Sequence, residues 1–119
     1  MRMLIALPAI VLAASMTATS STPATKVLRG AVGPEFTITV KNAAGKLVKT
    51  TKAGTYRLTV SDKSTFHDFH LIGPGINKVV TTVPFTGTKA VTVKLKVGRY
   101  IYRCDPHRLD MKGSFKVTA

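Results

Sequence analysis

Three side chains that bind soft metal ions lie within eight residues near the carboxyl end of the chain. Cys104 is followed by His107 and then by Met111, in the run Cys-Asp-Pro-His-Arg-Leu-Asp-Met. Thiolate, imidazole and thioether suit copper, and one Cys with two His and a weak Met is the donor set of a blue-copper site. Pro106 stiffens the first turn of this segment. The spacing therefore predicts a copper site that needs one more histidine.

The second histidine must come from the segment Phe66–Ile72, which has the apolar alternation of a strand. His67 shares its parity with Phe69 and Leu71, whereas His70 has the opposite parity. Because alternate side chains of a strand point to opposite faces, His67 is predicted to face inward and to be the second imidazole, with His70 on the surface. A β-bulge in this strand could exchange the two roles. Zinc also accepts Cys and His ligands.

Cys104 is the one cysteine of the chain, so it cannot form an internal disulfide. Taken alone, a cysteine is more often a buried, inert thiol than a ligand. A third interpretation makes Cys104 a nucleophile with His107 as its base. No third residue to orient that base and no oxyanion site are evident in the sequence. We therefore expect a metal ligand and no enzyme.

The elements that must position these residues are predicted to be strands. Apolar and polar residues alternate in five short runs separated by Gly, Pro and Asn, and no run has the spacing of a helix. This pattern predicts an all-β sandwich of about seven or eight strands. Lys52–Tyr56 resembles Lys96–Tyr100, which predicts two equivalent turns. The alternating runs are Phe36–Lys41, Tyr56–Ser61, Val91–Lys96, Tyr100–Cys104 and Phe115–Val117.

The first 25 residues have the organisation of a secretory signal peptide and a short polar linker. A basic start precedes the apolar run from Met3 to Ala14, and small residues allow cleavage after Ser15. The run is shorter than the roughly 20 residues that cross a bilayer. We therefore expect an exported protein, periplasmic or extracellular, whose domain comprises residues 26–119.

Two segments together resemble the cupredoxins, the family of plastocyanin, azurin and amicyanin. Tyr100–Val117 is similar to their carboxyl-terminal copper loop, and His67–Leu71 is similar to the strand of their first ligand. The resemblance implies a Greek-key β-sandwich, one type 1 copper ion and single-electron transfer. It also implies equatorial ligands His67, Cys104 and His107, an axial Met111, and an exposed His107 through which the electron leaves. The alternative is a copper carrier that uses the same ligands without a redox partner.

The sequence departs from the family pattern at two positions. The spacing from His107 to Met111 is one residue longer than in amicyanin and one shorter than in plastocyanin, which leaves the strength of the Met111 contact open. Asp68 stands where plastocyanin has Asn. An Asp there can still join the two ligand loops by a hydrogen bond, and its charge would stabilise Cu(II) and lower the reduction potential.

The formal net charge of +13, from 18 basic and 5 acidic residues, indicates an anionic partner. Export argues against nucleic acid, and the basic residues are spread along the chain without a run of five. We therefore expect a monomer that recognises acidic redox proteins. Association with an anionic membrane surface is also consistent with this charge.

Overall fold

The computed structural model describes residues 8–11, 13–14 and 25–119. Most of the predicted signal peptide and linker, residues 1–25, lies outside the described residues, as does Ser15 with the predicted cleavage site. In the described part of the chain, no helix is long and apolar enough to span a membrane.

The domain is a sandwich of two sheets, with the strand orders β2-β1-β4-β7 and β3-β9-β8-β5-β6. Most neighbours are antiparallel, but β1 pairs with β4 and β3 pairs with β9 in parallel. The all-β prediction is confirmed. The described residues form nine strands, which is more than the seven or eight predicted. The sequence did not reveal pieces as short as β3, because they have too few residues for a recognisable alternation. The strands are β1 Lys26–Val32, β2 Ile38–Asn42, β3 Thr50–Lys52, β4 Gly54–Asp62, β5 Phe69–Gly73, β6 Ile76–Thr81, β7 Gly87–Leu95, β8 Gly98–Arg103 and β9 Lys112–Thr118.

The core lies between the sheets and consists of the inward positions of the strands. In β4 and β8 the predicted alternation is confirmed, since Tyr56, Leu58, Tyr100 and Tyr102 are all buried. Aromatic rings stack in this core, with Tyr100 5.5 Å from Phe115 and nearly parallel to it. Such pairs add about 0.5–1.5 kcal/mol beyond their burial. This packing fixes the direction of β8 and therefore the position of the residue that follows it, Cys104.

Alternation fails where the chain leaves the sheets. Phe36 was expected on the buried face of a strand, but β2 begins at Ile38 and Phe36 is 64% exposed. Asp68 shares the outward parity of His70, but it precedes β5 and is buried. Both residues lie in loops, where no ladder forces successive side chains to opposite faces. The register of β5 also shifts between Phe69 and His70, where a bulge interrupts its pairing with β6.

The sandwich has two ends of different construction. We call the end with the loops Gly33–Thr37, Lys63–Asp68 and Cys104–Met111 the donor end. The opposite, distal end contains the start of β1 and the turns between β3 and β4, β5 and β6, and β7 and β8.

The two similar segments form matching turns at the distal end. The Tyr56 hydroxyl donates to the carbonyl of Lys52 over 2.6 Å, and the Tyr100 hydroxyl accepts the backbone N–H of Lys96 over 2.9 Å. Each tyrosine thus contacts the backbone four residues before it, as the predicted equivalence requires.

Candidate metal centre

Cys104 is placed by the strand before it and the turn after it. It has extended backbone angles and no exposed surface, and it is followed by a 3-10 turn, Asp105–His107. The His107 N–H donates to the carbonyl of Cys104 over 3.1 Å. The Cys104 N–H donates to the Met111 carbonyl over 3.0 Å, and the Met111 N–H donates to the His107 carbonyl over 2.8 Å. These bonds close the loop, and the fully buried Met111 lies at its end.

His67 lies in the loop between β4 and β5. Two hydrogen bonds hold the loop. The Ser64 N–H donates to Asp62 Oδ1 over 3.1 Å, and the Phe66 N–H donates to Ser64 Oγ, also over 3.1 Å. The imidazole packs against Gly33, whose φ is +71°. A Cβ on Gly33 would lie 2.9 Å from Cδ2 of His67, closer than such atoms approach. Both the backbone angle and the space therefore require glycine at position 33.

The two loops bring three donor atoms together. His67 Nδ1 and His107 Nδ1 are 3.2 Å apart, and Cys104 Sγ lies 3.7 Å from the first and 3.6 Å from the second. His67 is buried, whereas His107 is half-buried. The Phe36 ring packs edge-on against both imidazoles, with centroids 5.6 Å from His67 and 5.0 Å from His107.

The spacing of these atoms fits a single metal ion between them. An ion about 2.0–2.1 Å from each nitrogen and about 2.3 Å from sulfur separates the nitrogens by roughly 3.3–3.6 Å and each nitrogen from sulfur by roughly 3.6–3.8 Å. The structure has separations close to these. One thiol and two imidazoles form a soft donor set, with the thioether-bearing Met111 on the same loop, and this composition fits copper.

Asp68 joins the two ligand loops by two hydrogen bonds. Its backbone N–H donates to Cys104 Sγ over 3.5 Å, and its Oδ1 accepts the N–H of Asp105 over 2.6 Å. Burial raises the pKa of Asp68, although the bond from the Asp105 backbone opposes that shift. Burial likewise raises the pKa of the Cys104 thiol. A cation bound here would favour the thiolate, so its binding would release the thiol proton.

His70 belongs to a second polar group next to the donor cluster. Its Nδ1 lies 2.9 Å from both carboxylate oxygens of Asp105, its Nε2 contacts Asn77, and Arg103 Nε donates to Asp105 Oδ1 over 2.9 Å. Partial burial by itself would raise the pKa of Asp105, but His70 and Arg103 lower it below its ordinary value. His70 is therefore not the free surface histidine expected from parity, because its side chain is only 12% exposed.

Three of the four predicted ligands lie together in the structure, with neighbours that the sequence did not indicate. His67, Cys104 and His107 lie together, and Met111 is buried in the same loop. Phe36 and Gly33 were not recognised as neighbours of the imidazoles. Gly33-Pro34 has the local sequence of a turn, and nothing local connects it to a histidine that is over 30 residues away.

Solved structures with the same architecture include known copper proteins. Auracyanin A, a "blue" copper protein from the green thermophilic photosynthetic bacterium Chloroflexus aurantiacus, is 19% identical with a TM-score of 0.54, covering 77% of this chain and 98% of that chain. Rusticyanin from Thiobacillus ferrooxidans is 24% identical with a TM-score of 0.51, covering 77% of this chain and 76% of that chain.

A chain of a heme-copper terminal oxidase dimer is 18% identical with a TM-score of 0.53. The match covers 77% of this chain but only 63% of the oxidase chain. No protein-family model matches the sequence, and a search of curated proteins gives no match. At these identities the similarity establishes the fold.

Proposed function

We propose that this domain, which has the cupredoxin fold, carries single electrons through one type 1 copper ion. His67, Cys104 and His107 would hold the ion, and Met111 would be the weaker fourth donor. The observation that carries the proposal is the separation of 3.2–3.7 Å between two imidazole nitrogens and one thiol sulfur. When bound, the copper ion supplies a one-electron change between its two oxidation states.

The role of the chain is to keep the donors in place. The Asp68 N–H donates to Cys104 Sγ, and the Asp68 carboxylate accepts the Asp105 N–H, so two hydrogen bonds join the ligand loops. The closed loop from Cys104 to Met111 adds four backbone bonds, including one from the Asp110 N–H to the His107 carbonyl over 3.0 Å. Donors fixed in this way occupy nearly the same positions in both oxidation states, which keeps the structural cost of each electron transfer small.

The exit for the electron would be His107, which is half-buried and borders the solvent. Apolar side chains surround it, with Phe66 74%, Phe36 64% and Val83 44% exposed. An exposed apolar rim of this kind is typical of a contact surface. It supports brief docking of a partner protein over His107, as an electron carrier requires.

The proposed partner and compartment rest on the charge of the domain and on the amino-terminal sequence. Lys63, Arg108 and Lys112 are exposed cations in or beside the loops of the donor end. They would pair with carboxylates of an acidic redox partner once it contacts the donor end. The signal peptide pattern in residues 1–25 supports the export of the domain to the periplasm or the exterior.

The burial of Cys104 argues against a nucleophilic enzyme. A reactive thiol is accessible and has a lowered pKa, whereas Cys104 is fully buried and its pKa is raised by that burial. We therefore propose that the domain is not an enzyme. Thiol reagents should modify the unfolded protein readily and the copper-loaded protein very slowly, and fast modification of the loaded protein would oppose this proposal.

The decisive experiment adds Cu(II) to the metal-free protein. An intense visible thiolate charge-transfer band should appear, and it should be absent in the Cys104→Ala variant when circular dichroism shows that the variant is folded. Reversible one-electron voltammetry and fast electron self-exchange would establish the electron carrier. A band without reversible reduction would support the alternative of a copper carrier. A colourless complex would refute the type 1 site.

A further inference from the structure

The acidic and basic residues of the domain are unevenly distributed between its two ends. All five acidic side chains of the chain lie in or beside the loops of the donor end. Seven exposed cations lie at the distal end without an acidic residue among them, so the excess positive charge is concentrated there. The acidic residues are Glu35, Asp62, Asp68, Asp105 and Asp110, and the distal cations are Lys26, Lys49, Lys52, Lys94, Lys96, Arg99 and Lys116.

The strand pairing gathers these cations into one surface. Arg99 of β8 lies opposite Lys116 of β9, and together with Lys49 they line a depression of about 570 Å³. Lys26 Nζ lies 5.5 Å from the centre of the Tyr56 ring, and Lys96 approaches Gly75 in the turn between β5 and β6. The turns beneath them are held by the hydroxyls of Tyr56 and Tyr100, so the surface is fixed by the fold.

The course of the chain identifies the side of the domain that a membrane would meet. Strand β1 begins at Lys26, so the preceding residues join the domain at the distal end. Those residues include the apolar run from Met3 to Ala14. Before the predicted cleavage, a bilayer that receives this run is joined to the domain at the distal end, whereas the donor end lies at the far end of the strands. Strand β1 has seven residues and β4 has nine. At about 3.3 Å per residue, such strands separate the two ends by roughly 25 Å.

We propose that the distal end binds the anionic headgroups of a phospholipid surface and thereby turns the donor end toward the aqueous phase. Lys and Arg side chains near such a surface each strengthen binding severalfold, and the attraction fades within a Debye length of about 8–10 Å. The cations of the distal end lie within that range of a docked surface and those of the donor end do not. The proposal goes beyond electron transfer and needs no bound metal.

The test uses the metal-free full-length protein and vesicles of phosphatidylcholine with or without phosphatidylglycerol. One variant combines Lys52→Gln, Lys96→Gln and Arg99→Gln at the distal end. Its control combines Lys63→Gln, Arg108→Gln and Lys112→Gln at the donor end, with the same loss of charge. Sedimentation with the anionic vesicles should weaken on the order of 100-fold in the distal variant. It should weaken by less than about tenfold in the control.

Three results would overturn the proposal. Equal losses in both variants would mean that only the net charge matters. Equal binding to neutral and anionic vesicles would assign the interaction to the apolar run alone. Binding of the distal end to an acidic protein, such as a polyglutamate peptide, without binding to vesicles would identify a different partner. Since the apolar run is the same in all samples, a selective loss in the distal variant can come only from its cations.

Discussion

The two ends of the sandwich satisfy their polar groups by different means. At the distal end, the Tyr100 hydroxyl accepts the Lys96 N–H and donates to the Pro74 carbonyl, so the turn is complete without a ligand. At the donor end, His67, His107 and Cys104 direct two nitrogens and a sulfur toward one another. A cation between them could take all three as donors at once. The distal end is thus complete through its own hydrogen bonds, whereas the donor end has the arrangement of a binding site.

The sharpest test of this difference replaces each of the two histidines near the donor end by alanine in a separate variant. His67→Ala should remove the thiolate charge-transfer band completely, because the ion loses one of its strong donors. His70→Ala is the matched control from the same segment and should keep the band, since His70 contacts Asp105 and Asn77. Visible absorption of the copper-loaded variants measures both. If the His70 variant alone loses the band, the ligand assignment is wrong.

A distal substitution should alter stability without altering the metal site. Tyr100→Phe removes a hydroxyl that serves both the Lys96 N–H and the Pro74 carbonyl. The free energy of unfolding should fall by about 1–3 kcal/mol, the cost of leaving such groups unpaired. Urea denaturation measures this loss, and the copper band should stay unchanged. A variant that is as stable as the wild type would show that water replaces the hydroxyl at no cost.

A smaller effect is expected from the carboxylate that joins the ligand loops. Asp68→Asn keeps an acceptor for the Asp105 N–H but removes a buried negative charge near the site. The reduction potential should rise by tens of millivolts because Cu(II) loses electrostatic stabilisation. Asp110→Asn, in the same loop but exposed, is the control and should change the potential little. Equal potentials in the wild type and the Asp68 variant would contradict this prediction.

The smallest effect concerns the charges that guide small reactants to the two ends. Oxidation of the reduced protein by hexacyanoferrate(III) should slow a few-fold in the Lys63, Arg108 and Lys112 triple variant. The distal triple variant should slow less, because its cations are distant from His107. Stopped-flow recovery of the colour gives both rates, and added salt should reduce the difference. A rate that is independent of salt would exclude steering by these cations.

The sequence predicted much of the fold because a strand reveals its faces locally. Period-two alternation identified the buried side of β4 and β8, and it placed Cys104 on the inward side at the end of β8. The same rule failed for Phe36 and Asp68, which lie in loops where no sheet fixes the direction of a side chain. It also misjudged His70, whose partner Asp105 is separated from it by 35 residues.

What the sequence alone determined is the kind of chemistry and its local spacing, since Cys104, His107 and Met111 occupy one short loop. Only the tertiary structure decided that the His67 nitrogen lies beside Cys104 and His107, that Gly33 makes room for its ring, and that the cations gather at the distal end. The type and the spacing of residues are fixed along the chain. Contact between distant loops and the grouping of charges depend on sheet register, which brings together residues that have no local relation in the sequence.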